Sequence, residues 1–157
     1  EALAICDRVA VMSEGQLHQC ATPCELVYKP ATSFVARFVL QRNILPIKIS
    51  GRNIFTPLGI LNNPSNIESS SGHELILDNK CLQVTKEPQG KAIISGIEFH
   101  GTHWLLRVEL GIYKFRVFHS LDNSFKLGDQ CHLRFKKNNT GILFPGAISC
   151  SLNYLNH

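Results

Sequence analysis

The pattern of hydrophobic and polar positions changes its period near residue 46. Before that point, an apolar β-branched run over residues 8–13 and an alternating run over 16–20 flank the pair Glu14-Gly15. Two short runs of this kind, joined by a glycine-containing turn, predict a β-hairpin.

Two short helices are predicted after the hairpin. Thr22 can cap the first, Pro23 fits its first turn and Glu25 completes a capping box, while Pro30 ends it. A second helix start follows two residues later. Helical spacing gives this second helix one apolar face, formed by Phe34, Val35, Phe38 and Val39.

Asn43 and Pro46 break the helical spacing, and beyond them the pattern is that of short β-strands. Gly111 marks a tight turn between two of these strands and predicts a second hairpin. The polar, breaker-rich segment 62–72 predicts an exposed loop. The predicted strands cover residues 47–50, 53–56, 74–77, 81–86, 91–99, 103–110, 113–118, 130–135 and 142–144.

Many short strands at regular spacing indicate a mainly β fold, either a small barrel or a sandwich. The change of period divides the chain into residues 1–46, with the hairpin and helices, and residues 47–157, a β-domain. Because the 157 residues open inside an amphipathic stretch without an initiator methionine, we expect the chain to be part of a longer protein.

Composition excludes several classes of protein. With 44% hydrophobic and 18% charged residues, the chain is not expected to be disordered, and no apolar run approaches the roughly 18 residues of a membrane helix. The net charge of +4 lies in residues 100–157, which carry seven basic and three acidic residues. We interpret this excess as a solvated face, the alternative being a surface for anions or nucleic acid.

Cysteine and histidine spacing offers one candidate metal site. His18-x-Cys20-x3-Cys24 has the spacing of a half-site, and His100-x2-His103 is a candidate second half. Since the two lie on different predicted segments, we expect no metal site. The six cysteines are interpreted as reduced thiols.

The sequence does not carry the common catalytic motifs. The pair Gly90-Lys91 precedes Ala92 and lacks the glycines and hydroxyl of a phosphate loop. The spacings of zinc-protease, serine-hydrolase and dinucleotide-binding motifs are likewise missing. We therefore predict that this chain by itself is not an enzyme.

Five motifs in residues 1–46 resemble, in order, the end of the ATPase domain of bacterial ABC importers. Ala21 departs from that family, which usually has glycine before the Thr-Pro pair. The motifs are the helix and Asp-Arg strand of residues 1–12, the turn 14–16, the Thr-Pro-x-Glu start 22–25, the Pro-Ala-x-x-Phe-Val-Ala-x-Phe segment 30–38 and the Asn-x-Leu-Pro segment 43–46.

Residues 96–108 resemble the small OB-like regulatory β-domain of the same importers, through the pattern Gly-x-x-Phe-x-Gly-x-x-x-x-Leu-x-Val. Segments 115–117, 127–129 and 143–145 fit it too. The resemblance implies an OB-like barrel or sandwich that regulates the subunit and stabilises its dimer. Candidate residues for that regulatory or dimer interface are Phe99, His100, Gly101, His103, Trp104 and Arg116.

The resemblance also implies the activity of a longer protein. In this family, ATP and magnesium are bound by a dimer of the whole subunit, coupled to membrane-spanning permease subunits at the cytoplasmic face of the inner membrane. The family's phosphate loop, catalytic glutamate and switch histidine lie upstream, so no catalytic, cofactor or metal residue is assigned to this chain. The segment 43–46 is most like ferric-iron importers, with polyamine, sulfate and maltose types as alternatives.

A second class of function remains open. Aromatic residues alternating with Lys114 and Arg116 could stack on bases, as in OB-folds that bind single strands. The chain would then be a free-standing module for an oligonucleotide or oxyanion. We favour the interpretation that these aromatics fill a barrel core, and we expect no nucleic-acid partner. The aromatics concerned are Phe99, Trp104, Tyr113, Phe115 and Phe118.

Overall fold

The computed structural model describes residues 2–63, 67–68, 70–122 and 124–155, with the side chains of 70 and 71 excepted. Its helices are α1 (Ala2–Ile5), α2 (Pro23–Tyr28) and α3 (Ser33–Phe38). None of the helices in these described ranges is both long and apolar enough to span a membrane. The strands are β1 (Val9–Ser13), β2 (Gln16–Ala21), β3 (Asn43–Ser50), β4 (Asn53–Thr56), β5 (Gly59–Asn62), β6 (Ser70–Leu77), β7 (Leu82–Lys86), β8 (Ala92–Phe99), β9 (Trp104–Leu110), β10 (Tyr113–His119), β11 (Gln130–Phe135), β12 (Thr140–Phe144) and β13 (Ile148–Ser151).

The molecule is mainly β, as predicted, and its described strands form three antiparallel sheets. Strands β1 and β2 make the predicted N-terminal hairpin. A five-stranded sheet has the order β10-β9-β8-β11-β7, and a six-stranded sheet the order β13-β12-β6-β3-β4-β5. The predicted hairpin at Gly111 is confirmed, with Tyr113 paired to Leu110.

The five-stranded sheet curls, so that its edge strands β10 and β7 come into contact with each other. Curling of this kind brings the two edges of a sheet together, as it does in small barrels. The main hydrophobic core lies between this sheet and the six-stranded sheet. In β11, alternate residues are buried and exposed, which is typical of a sheet with one solvated face.

The helices start as the sequence predicts. Thr22 and Glu25 form the reciprocal capping box of α2, and Thr32 caps α3 by accepting a hydrogen bond from the Val35 N–H. Helix α3 then joins the N-terminal segment to the β-domain, because Ala36 is fully buried against Ile76 of β6 and a neighbouring phenylalanine of β12.

The predicted apolar face of α3 is wrong at one position. Val35 is fully buried in a small N-terminal cluster with Val11 and Leu26, but Phe38 is 70% exposed. Phe38, the last residue of the helix, instead stacks its ring on that of Phe34, with centroids 5.5 Å apart.

Pro46 is not the break that the sequence predicts. Strand β3 begins at Asn43 and runs through Pro46, crossing the boundary proposed after residue 46. Pro46 pairs with Glu74 of β6, and on the other side β3 pairs with β4 only from Lys48 onward. The missing N–H of proline is tolerated where no neighbouring strand needs it.

The predicted loop 62–72 is wrong at both ends. Asn63 is buried and donates hydrogen bonds from its amide to the carbonyls of Gly51 and Ile67. Residues 70–72 belong to β6. Residues 64–66 and 69 lie outside the described part of the chain.

The cysteines divide into two classes of reactivity. All six are free; Cys6, Cys20 and Cys24 are exposed, while the other three are buried. Burial raises the pKa of the Cys131 and Cys150 thiols to about 11, which lowers their thiolate fraction at neutral pH.

We expect iodoacetamide near pH 8 to alkylate three cysteines in the folded chain, because the thiolate is the reactive form and must be accessible. Mass spectrometry of tryptic peptides should show modification at Cys6, Cys20 and Cys24. Denaturation in urea before labelling should expose all six and serves as the control. Native labelling of Cys150 at the rate of Cys20 would contradict the described burial.

Candidate functional site

The candidate residues lie mostly at one end of the β8–β9 hairpin. Phe99 ends β8 and Trp104 begins β9; the two are cross-strand partners, and their ring centroids lie 4.9 Å apart. The His100 N–H donates to the His103 carbonyl at 2.9 Å and closes the loop. Gly101 has φ +81°, a left-handed conformation that favours glycine. We define this end, residues 98–104, as the hairpin tip.

The two glycines of the β8–β9 hairpin have different roles. The register shift between β8 and β9 lies between Ile94 and Gly96. A Cβ at Gly96 would lie 2.8 Å from Nε of Arg107, so the absence of a side chain admits Arg107 there. Gly101 instead provides the turn.

Charged groups at the hairpin tip meet around Glu98. Nε2 of His100 lies 3.3 Å from the Glu98 carboxylate, and the Arg107 guanidinium pairs with the same carboxylate. The hydrogen bond with His100, followed by the nearby Arg107, holds the pKa of the Glu98 carboxyl below its ordinary value. All three groups are substantially exposed, so they form a polar rim.

The aromatic side chains of the tip form a partly open surface. Phe99 is 57% exposed, whereas Trp104 is partly buried and donates from Nε1 to the Leu121 carbonyl at 3.2 Å. His103 packs its ring 4.0 Å from that of Phe118. Nε2 of His103 is buried without a hydrogen-bond partner in the described part of the chain. Aromatic residues beside a polar rim are typical of protein contact surfaces.

The five candidate stacking aromatics do not share one exposed platform. Phe115 is buried in the main core, as the core-filling interpretation requires, and Tyr113 and Trp104 pack against that core. Phe99 does not fit the core-filling interpretation, because its side chain is 57% exposed. Among these five aromatics, Phe99 is therefore the one strongly exposed ring on which a base could stack.

Arg116 lies apart from the other candidate residues. In the β9–β10 ladder it pairs with Arg107, three positions from the pair of His119 with Trp104, or about 10 Å along the strand. Its N–H donates to Oδ1 of Asn43 at 2.8 Å, and its carbonyl accepts from Nδ2 of Asn43 at 2.7 Å. The structure thus brings Phe99, His100, Gly101, His103 and Trp104 together but places Arg116 beside β3 and α3.

Sequence reasoning missed the residues that complete these surroundings. Arg107 and Leu121 reach these surroundings only through strand pairing and loop packing, and Glu98, although next to Phe99 in sequence, forms no recognisable motif with the candidate residues. From its sequence context, Asn43 is interpreted as the end of a helix, whereas in the structure it begins β3. A polar residue between a helix and an alternating apolar run is compatible with either role.

The candidate metal half-sites do not meet. The His18 ring stacks on Phe34 with centroids 4.5 Å apart, and the Arg8 guanidinium donates to the Cys20 carbonyl. Within the described residues, no group of three or more histidine, cysteine or acidic side chains is arranged to hold a metal ion.

Comparison with known proteins finds sequence relatives among import ATP-binding proteins. No family model matches the chain. It is 31% identical over 103 residues to the Fe(3+) ions import ATP-binding protein of Streptomyces coelicolor, covering 66% of this chain and 30% of that protein. It is 25% identical over 158 residues to the spermidine/putrescine import ATP-binding protein of Mycoplasma capricolum, covering 92% and 42%.

These relatives are ATP-binding subunits of ABC importers. A further relative, the sn-glycerol-3-phosphate import ATP-binding protein of Roseobacter denitrificans, is 34% identical over 105 residues, covering 64% of this chain and 29% of that protein. The chain thus spans less than half the length of each of these relatives. Their similarity extends over much of the chain, and it reaches both the N-terminal segment and the β-domain.

Proposed function

We propose that this chain is the C-terminal, non-catalytic part of the ATP-binding subunit of an ABC importer. Residues 1–46 would complete the ATPase domain, and residues 47–157 would form a regulatory domain that holds two subunits together. The observation that carries the proposal is the alignment with the Mycoplasma capricolum importer subunit, which covers 92% of the chain.

The hydrophobic core of the β-domain and the N-terminal cluster support this division of the chain into two parts. The β-domain has a large core of its own, shared by both of its sheets. The N-terminal segment buries only four hydrophobic residues in its own cluster. This core is too small to make the segment stable by itself. In the proposed subunit, further ATPase residues would pack against this segment, where Met12 and Phe38 expose large apolar side chains.

The proposed partners follow from the same assignment. ATP and magnesium would bind the remainder of the longer subunit, and no residue of this chain is proposed to hold them. Two membrane-spanning permease subunits would complete the importer, so that the subunit would lie peripherally at the cytoplasmic face of the inner membrane.

We propose ferric iron as the transported substrate. The support is the Asn43–Pro46 segment together with the iron importer of Streptomyces coelicolor among the relatives. Disruption of the gene for this chain should reduce uptake of radioactive ferric iron by the source cells and leave spermidine and glycerol 3-phosphate uptake unchanged. Loss of spermidine uptake with normal iron uptake would assign the subunit to the polyamine type instead.

The proposed dimer can be tested with the 157-residue chain. We expect sedimentation equilibrium to give twice the 17.5 kDa chain mass, because the exposed Phe99 ring and its neighbours would be covered in a symmetric contact. Phe99→Asp should shift the equilibrium to the monomer. Trp104 is the single tryptophan, so its emission should follow the same concentration dependence.

Ile112→Asp is the matched control for the dimer experiment. Ile112 is 88% exposed in the turn at the opposite end of β9, and its substitution should leave the dimer intact. A wild-type chain that sediments only as a monomer would contradict the dimer proposal. A dimer that both variants retain would exclude the hairpin tip as its interface.

A further inference from the structure

Basic side chains from two parts of the fold converge on one cleft. Arg37 of α3 and Arg42, just after that helix, line it from the N-terminal segment, while Lys114 and Arg116 line it from β10 of the β-domain. The cleft has a volume of about 340 Å³. We call it the arginine cleft. It is separate from the hairpin tip and is assigned no part in the dimer contact.

The arginine cleft carries an uncompensated positive charge. Two carboxylates offset its four basic side chains: Glu74 lines the cleft, and Glu109 pairs with Lys114 at 4.0 Å, which leaves a formal charge of +2. Glu74 is held by Arg37 at 3.7 Å. Among the described acidic residues, none forms an ion pair with Arg42 or Arg116. Two permanently charged guanidinium groups in one concave site therefore lack a counter-ion.

Arg116 is fixed in place but has an unmet hydrogen-bonding requirement. Both main-chain polar groups of Arg116 are bound by the side chain of Asn43, which is itself buried. Nε of Arg116 is buried and has no acceptor within the described residues. A buried N–H without an acceptor costs free energy, so a ligand that supplies an oxygen to this group is favoured.

Arg42 is held in place as well. Its guanidinium donates to the Val27 carbonyl at 2.7 Å, and this bond uses one edge of the group. The remaining donors can serve a ligand, since a guanidinium presents five N–H groups. Arg37, Arg42 and Arg116 also line the adjoining cleft beside Phe34 and Phe38, so all three are accessible from that side too.

We propose that the arginine cleft binds a doubly charged tetrahedral oxyanion, a phosphate or sulfate group. Guanidinium groups bind such oxygens through paired hydrogen bonds, and a dianion balances the remaining +2 charge where a carboxylate balances half of it. A volume of about 340 Å³ suits a small ligand. Because the cleft joins α3 to β10, the bound anion would tie the N-terminal segment to the β-domain. The proposal concerns only side chains of this chain and does not depend on the importer assignment.

The test is isothermal titration calorimetry of the full chain with sodium phosphate, sulfate and acetate, at constant ionic strength set with sodium chloride. We expect saturable binding of phosphate and sulfate and at least tenfold weaker binding of acetate. Arg116→Gln should weaken phosphate binding by at least tenfold. Arg37→Gln, at a side chain that is 65% exposed, should weaken it in the same direction without endangering the fold.

Arg134→Gln is the matched control, because Arg134 is an exposed arginine on β11 outside the cleft. It should bind phosphate as the wild type does. Binding that is equal in wild type and Arg37→Gln, or that chloride abolishes, would overturn the proposal. Titration with glycerol 3-phosphate distinguishes the sources of the group: tighter binding than inorganic phosphate indicates a phosphomonoester ligand, and equal binding indicates the free anion.

Discussion

Replacing Phe135 by alanine is expected to lower the free energy of unfolding by about 3–5 kcal/mol, the usual range for deleting a buried phenylalanine. Phe135 is 2% exposed and is among the largest fully buried side chains of the described residues. Its ring lies 5.5 Å from that of Tyr154, and its N–H donates to the Tyr154 hydroxyl at 3.0 Å. The substitution leaves a cavity that the surrounding strands cannot fill, because both sheets contribute to this core.

Chemical denaturation with urea, followed by circular dichroism, measures this loss. Phe38→Ala is the matched control, since it removes the same ring from a position that is 70% exposed. The control should change the free energy of unfolding by less than about 0.5 kcal/mol. Equal losses for the two variants would contradict the described core.

Replacing Asn43 by alanine is expected to lower the free energy of unfolding by about 3 kcal/mol, although no large side chain is removed. The amide of Asn43 binds the N–H and carbonyl of Arg116 and also donates to Oδ1 of Asn79 at 2.9 Å. Its loss leaves three polar groups without partners, and each such buried group costs about 1–3 kcal/mol.

The position of Asn43 makes this effect specific to the fold. Strand β10 is an edge strand of the five-stranded sheet, and the side chain of Asn43 binds the outward-facing backbone groups of Arg116. A residue of β3 in the six-stranded sheet thereby closes an edge of the other sheet. Asn62→Ala, at an exposed position of β5, is the control and should be nearly neutral. A loss below about 1 kcal/mol for Asn43→Ala would indicate that water replaces the amide.

Local features of the fold followed from the sequence because their causes are local. The capping box of Thr22 and Glu25 and the turn at Gly111 each involve residues only a few positions apart. Alternation likewise located β11 with the observed bounds. The short strands β5 and β13 escaped prediction, because four residues pair as a strand only when a neighbouring strand is present.

The candidate site could be predicted only in part. Phe99 and Trp104 were found together because they flank one tight turn, so proximity in sequence guaranteed proximity in space. Arg116 is a candidate residue of the same regulatory or dimer interface, but the β9–β10 ladder places it beside Asn43, away from the tip. No sequence pattern singles out Arg37 and Arg42, since isolated arginines in a helical segment are ordinary solvated residues.

By itself, the sequence determined the mainly β class, the capped helices, the hairpins and the resemblance to importer ATP-binding subunits, because each depends on short-range order. Only the tertiary structure decided that β3 runs through Pro46 and that Asn43 joins two sheets. It alone also brought three arginines from distant positions to one cleft. Long-range pairing sets those contacts, and charges more than 70 positions apart in the chain become neighbours only when the sheets close around a common core.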